Sequence, residues 1–153
     1  VDSLFTLAGL ARSGFIQEVI VQNFRAKADT RKRRDAEPTV AYMARVVAVA
    51  RWILGPEMNL QVPPNLTDRY EVYLDAGIND WGGVSPVTID WVNPEAPWPH
   101  LEELRARTEA AGFTLRPRLP VYPEYLGPEW IDPGLLPALT AAADDDGYAH
   151  PAG

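Results

Sequence analysis

The sequence predicts an α/β chain built on parallel strands, and three observations carry that prediction. Segments with apolar residues at helical spacing alternate with short β-branched and aromatic runs, in the order helix, strand, helix, strand, helix, strand, helix, strand. The segments between strands are long enough for helical crossovers, which join parallel strands. Polar and glycine-rich residues follow the apolar strands, at the carboxyl ends where doubly wound sheets and barrels both meet their ligands.

The first helix spans 1–12, with Leu4, Leu7, Ala8 and Ala11 on one face and Gly14 to stop it. A strand follows over 15–21, rich in β-branched and aromatic residues; its Glu18 signals that one side is not simply buried. From 26 to 37 the chain is a polar, basic loop. Pro38 suits the first turn of a second helix, in which Met43, Val46, Val47, Ala50, Ile53 and Leu54 recur at intervals of three and four up to Gly55. An apolar run over 58–62 reads as a buried strand. Thr67 or Asp68 then caps a short helix carrying Tyr70, Tyr73 and Leu74, closed by Gly77. The next strand is 78–81, and Pro99 opens a helix with Leu101 and Leu104 on one face that ends at Gly112. A last strand is expected over 113–119, then a proline-rich, irregular stretch with a short helix around 135–143 and a mobile terminal tail.

Composition narrows the chemistry. The chain has 153 residues and no cysteine, which removes disulfides, thiolate zinc sites and iron-sulfur ligation from its own residues. His100 and His150 lie far apart, arguing against a histidine metal site or a Ser-His-Asp triad. A net charge of -7 argues against general nucleic-acid binding, although Arg25, Lys27, Arg31, Lys32, Arg33 and Arg34 cluster in one loop. Without a membrane-length apolar run or a secretory signal, the chain reads as soluble and cytoplasmic.

The segment 79–98, NDWGGVSPVTIDWVNPEAPW, is the main candidate for ligand contact, because it combines tryptophans, a glycine pair, prolines and carboxylates in a long shaped loop. Together with Gln22, Asn23 and Arg25 after the first strand, and Gln61 and Asn65 around the end of the second, it surrounds the expected ligand side of the sheet. Neither glycine-rich phosphate motif, GxGxxG nor GxxxxGK[ST], is present, which favours a barrel over a dinucleotide domain. A (β/α)8 barrel needs about 250 residues. With three or four βα units visible, the fold is either a smaller open sheet or a piece of a larger one.

Three stretches, IQEVIVQNFRAKADT at 16–30, LGPEMNLQVPPNL at 54–66 and AGINDWGGVSPVTIDWVNPEAPWPHLEEL at 76–104, resemble the carboxyl-terminal part of the radical S-adenosylmethionine subunit or domain of the 7,8-didemethyl-8-hydroxy-5-deazariboflavin synthases. The resemblance extends to about Tyr125. It implies the last three strands and helices of a TIM-type radical barrel over 1–123 and a carboxyl-terminal extension over 124–153. The implied cofactors are S-adenosylmethionine and a 4Fe-4S cluster; its CxxxCxxC ligands would lie upstream of Val1, so this chain alone would be an inactive fragment. The implied substrate is a tyrosine-derived ribityl-diaminouracil adduct. The implied partners are the upstream half of the barrel and a sister radical subunit or fused domain.

No residue is singled out as catalytic and none as a metal ligand. On this resemblance Asn23 would hold substrate or the adenosyl group, Gln61 and Asn65 would read the pyrimidine, Asp80 would accept and Ser85 donate, and Arg25 and Lys27 would meet a carboxylate. Gly82 and Gly83 would admit the ligand close to the backbone, with Trp81 stacking on it. Gln22 completes the set of site candidates. Two other readings stand beside this one: a glycosidase-like barrel using carboxylates among Asp80, Asp90, Glu95 and Glu124, and a non-catalytic scaffold that completes a barrel.

Overall fold

The computed structural model describes residues 1–85 and 87–150. Contacts divide the chain into two units, Val1–Gly112 and Phe113–Gly153. The first unit holds α1 (Asp2–Ala11), β1 (Glu18–Ile20), α2 (Val40–Leu54), β2 (Asn59–Val62), α3 (Val72–Asp75), β3 (Asp80–Trp81) and α4 (Leu101–Ala110), with a 3-10 turn at Pro64–Leu66. The strands lie in sequential order, β1-β2-β3, and both pairs are parallel. The alternation predicted from sequence is therefore present, as a small parallel sheet with its helices.

The register decides what each face carries. Glu18 pairs with Asn59, Val19 with Leu60, and Ile20 with Gln61; across the next pair, Gln61 meets Asp80 and Val62 meets Trp81. Side chains alternate along a strand, so Val19, Leu60, Val62 and Trp81 share one face, and Glu18, Ile20, Asn59, Gln61 and Asp80 share the other. The apolar face is the core side: Leu60 and Val62 are fully buried, as are Val47 and Ala50 of α2 and Tyr73 of α3, with Met43, Tyr70, Leu74 and Leu104 close to it. Burying each large aliphatic side chain stabilises the fold by about 1.5–3 kcal/mol.

Several boundaries differ from the sequence expectation. Of the strand expected over 15–21, only Glu18–Ile20 is β1, although Val21 N still donates to Gln61 O at 2.8 Å, and Phe15 is 80% exposed. Pro38 lies outside α2; Thr39 is the cap, its hydroxyl accepting from Tyr42 N at 3.2 Å. Pro99 likewise precedes α4, whose cap is His100.

The second unit overturns one expected element. Residues 113–119 form no strand. Pro117 cannot donate to a ladder, and the flanking arginines are drawn to other partners within the unit. Arg116 donates to Asp144 at 2.8 Å and Asp146 at 3.1 Å and stacks 4.1 Å over Tyr148, while Arg118 stacks 4.4 Å over Tyr122. The same unit carries a 3-10 turn at Pro123–Tyr125 and α5 (Leu136–Ala142). The tail expected to be mobile is an organised turn in its described part: Asp144 N donates to Tyr148 O at 2.7 Å, and the Asp144 carboxylate accepts from the amides of Asp146 and Tyr148. Residues 151–153 lie outside the described residues.

Candidate functional site

The polar face of the sheet carries a row of three side chains, one from each strand. Gln61 is 1% exposed, and its Nε2 donates to Glu18 Oε2 on β1 and, at 3.1 Å, to Asp80 Oδ2 on β3. The parallel register creates this row, since it places Gln61 directly between its neighbours. A carboxylate only accepts, whereas a side-chain amide has two N–H groups to share, so Gln61 is suited to tie two acids together. Gly82 follows on the same face, and a Cβ there would stand 2.9 Å from Gln61 Oε1. The glycine thus leaves room for the amide, a purpose distinct from the expected close approach of a ligand to the backbone.

Three loops follow the strands, and the long one is pinned to the other two. Asn65, after β2, donates both N–H groups, to Asp90 Oδ2 and to Ala96 O, each at 2.9 Å. Asp90 also accepts from the amides of Val92 and Asn93 and from the Asn93 side chain. Partial burial pushes the Asp90 carboxyl up, but hydrogen bonds from Asn65, Asn93 and Val92 outweigh it and hold the group below its ordinary value. From the loop after β1, Lys27 Nζ reaches Glu95 at 2.6 Å, and that bond is the largest of the effects that depress the Glu95 carboxyl. Gly83, at φ +73°, lets the chain turn where a Cβ would crowd the Trp98 ring at 3.2 Å.

The predicted residues separate into groups. Gln61, Asp80 and Gly82 come together on the polar face. Trp81 points the other way: it is 7% exposed, meets Tyr70 edge-on at 5.4 Å and donates from Nε1 to Thr108 of α4 at 3.1 Å. Its indole is a core anchor and not a stacking face. Asn23 is 9% exposed and lies beside the Tyr73 hydroxyl, which burial pushes up in pKa and the Asn23 side chain moderates. Asn65 shapes the loop, as described. Arg25 pairs with Glu37 at 3.5 Å, Ser85 accepts from the amides of Val87 and Thr88 in a local turn, and Gln22 is exposed.

Two residues outside the predicted set carry structural weight. Glu18 joins the polar row; the available signal was an acid at an alternate position of an otherwise apolar strand. Arg51, at the amino-terminal edge of the sheet, donates to the carbonyls of Gly55, Pro56, Met58 and Gly77 and to Asn79 Oδ1, at 2.6–3.1 Å. Nothing in the spacing of α2 distinguishes it from a solvated arginine.

A parallel sheet with one face buried by helices and the other bearing polar groups below a set of strand-end loops defines an α/β protein of the βα-repeat class. Sequence comparison adds the particular relatives. The chain is 54% identical over 149 residues to an FO synthase of Streptomyces coelicolor, covering 95% of this chain and 17% of that protein. It is 52% identical over 140 residues to the 7,8-didemethyl-8-hydroxy-5-deazariboflavin synthase of Methanopyrus kandleri, covering 91% of the chain and 42% of the relative. The like-named protein of Methanothermobacter thermautotrophicus is 48% identical over 126 residues, 82% of the chain and 38% of the relative. The chain is thus a relative of the FO synthases and corresponds to part of their length, less than half in each of these cases. No protein-family profile and no solved structure matches it.

Proposed function

We propose that this chain forms part of the active-site wall of a 7,8-didemethyl-8-hydroxy-5-deazariboflavin synthase, corresponding to the last strands of a radical S-adenosylmethionine barrel. The observation that carries the reading is the 54% identity over 149 residues to an FO synthase, which spans both the strands and the long loop. The sequential parallel order β1-β2-β3 supports it, because consecutive barrel strands pair in this way.

The residues present do not fit the iron-sulfur cluster that this reading implies. The chain has no cysteine, and the described residues contain no group of three or more His, Cys, Asp or Glu side chains placed to hold a metal. Cluster ligation therefore belongs to another part of the working enzyme. When bound, the cluster and S-adenosylmethionine would supply the radical chemistry. The role of this chain is to bind and orient the substrate on the face of Glu18, Gln61 and Asp80 and to exclude water with the loop over 82–98. The carboxylates of the polar face accept hydrogen bonds from substrate donors, and the apolar Ile20 beside them gives the ligand a dry surface.

The carboxylate-pair alternative finds less support. A hydrolase of that type needs one acid protonated near neutral pH, whereas Asp90 and Glu95 are both held below their ordinary values by loop contacts. In the full-length enzyme, Asp80→Ala is expected to lower deazaflavin formation tenfold or more, about 1.4 kcal/mol in the barrier. Asn23→Ala is expected to act on thermal stability instead, because its side chain lies against the core tyrosine. Unchanged turnover in Asp80→Ala would remove the polar face from the active site.

A further inference from the structure

The outer face of α2 is apolar where a helix of this kind is ordinarily solvated. Met43, Val47 and Ala50 are buried against the core, which leaves six exposed positions: Ala41, Tyr42, Arg45, Ala48, Val49 and Trp52. Arg45 alone among the six is charged, and Trp52 and Tyr42 are 85% and 58% exposed. A surface helix carries charged and polar residues opposite its buried stripe. Helix α4 of the same unit does so, exposing Glu102, Glu103, Arg105 and Glu109. Helix α2 is apolar on both faces.

The other sides of α2 are already occupied. Its inner face lies on the sheet, and α1 and α3 both pack against it. With the strands in the order β1-β2-β3, these two helices flank α2 in one layer. Strands added beyond β1 or β3 bring helices beyond that layer's ends and not over α2, so extending the sheet leaves the outer stripe bare. A bilayer fits it poorly. Helices that lie on membranes are rich in Lys and Arg on the polar face, whereas this stripe has one arginine on a chain of net charge -7.

We propose that a second copy of the chain covers this face, the two α2 helices packing antiparallel about a two-fold axis. The stripe is suited to pairing with itself, because its two large aromatics stand at opposite ends, ten residues or about 15 Å apart, with the small Ala48 between them. Antiparallel pairing sets each Trp52 at the partner's Tyr42 end, and the symmetry makes every contact twice. Arg45, one turn from Tyr42, comes within reach of the partner's Trp52 ring, which attracts a cation. Trp52 and Tyr42 by themselves expose roughly 300 Å². With the rest of the stripe, the two chains bury on the order of 1,000 Å² in total, about the least that a specific interface needs. Phe5 and Leu10 are exposed on the neighbouring α1 and add to that area. The pairing leaves Glu18, Gln61 and Asp80 open, since α2 covers the opposite face of the sheet.

Sedimentation velocity of the full-length protein over a micromolar concentration series tests the pairing. Wild type is expected to sediment as a dimer, and Trp52→Glu and Tyr42→Glu are each expected to weaken dimerisation by about a hundredfold or more. Glu109→Lys, on the solvated face of α4, is the control that retains the dimer. A photoreactive p-benzoylphenylalanine in place of Trp52 is expected to cross-link to a peptide containing Tyr42, identified by mass spectrometry. The two positions are too far apart on one helix to join within a chain, so that product reports the antiparallel pair.

A wild type that stays monomeric across the series would overturn the proposal, as would a dimer indifferent to both glutamate substitutions. Cross-linking of position 52 to a different segment would show that something other than a second α2 covers the face. Flotation of wild type, but not of Trp52→Glu, with phosphatidylglycerol vesicles would assign the face to a bilayer instead. Should a glutamate variant not fold, the cross-link decides the outcome.

Discussion

Arg51 shows how one side chain can organise an end of the fold. Its guanidinium gathers four carbonyls from the end of α2, the approach to β2 and the turn before β3, and it also meets Asn79, whose side chain accepts from Leu60 N at 2.8 Å. Removing it leaves partly buried carbonyls without donors, so Arg51→Ala is expected to cost about 3 kcal/mol or more in urea unfolding. Gly77→Ala attacks the same feature from the other side. A Cβ there would lie 2.9 Å from Arg51 Cγ, at a backbone φ of +106°. The two substitutions should be non-additive, the second costing less once Arg51 is gone; strict additivity would contradict a shared clamp.

Asp90 supplies a pH dependence at the same scale. Its folded pKa lies below the unfolded value of about 3.9, so its contribution is present above the unfolded pKa and is lost as pH falls through the folded one. Amide exchange at Val92 and Asn93, whose N–H groups Asp90 accepts, should therefore be protected at pH 6 and lose that protection only as pH falls through the depressed folded pKa of Asp90. Protection that persists after Asp90 itself has titrated, followed by its carboxyl NMR shift, would mean that other contacts hold the loop.

At the scale of elements, α2 was the most legible part of the chain. Its three- and four-residue apolar spacing correctly identified Met43, Val47 and Ala50 as buried. The cap was not legible, because Pro38 and Thr39 are adjacent and both are favourable at helix starts. The structure resolves this in favour of Thr39, and Thr39→Ala is expected to cost about 1 kcal/mol, read as a lowered melting temperature. The three strands of the first unit were placed correctly but drawn too long. Apolar composition marks where a strand can form, while its length depends on how many residues find a partner, and β3 pairs through only two. The long loop was recognised as shaped, but its internal economy was not: Asp90 turns inward to Asn65, while Trp91 is 81% exposed.

For the whole molecule, the two compact units meet in sequence at Gly112. Residues 112–114 are exposed and outside any helix or strand. Limited proteolysis is accordingly expected to cut there before it cuts near 123, with fragments identified by mass; first cleavage near 123 would favour the later boundary. The second unit also explains the failure of the predicted strand over 113–119. The unit instead uses Arg116 to organise its own terminal turn.

The sequence by itself determined the α/β order, the parallel strands, the main buried helix and the kinship with the deazariboflavin synthases. Each of these is written in local periodicity or in contiguous motifs. Only the tertiary structure decided which polar residues share a face. That depends on register between segments far apart in the chain: Glu18, Gln61 and Asp80 become neighbours, while Trp81, one residue beyond Asp80, turns into the core. A one-residue step along a strand reverses the face a side chain occupies, and the pairing that sets the step is formed only when the strands meet.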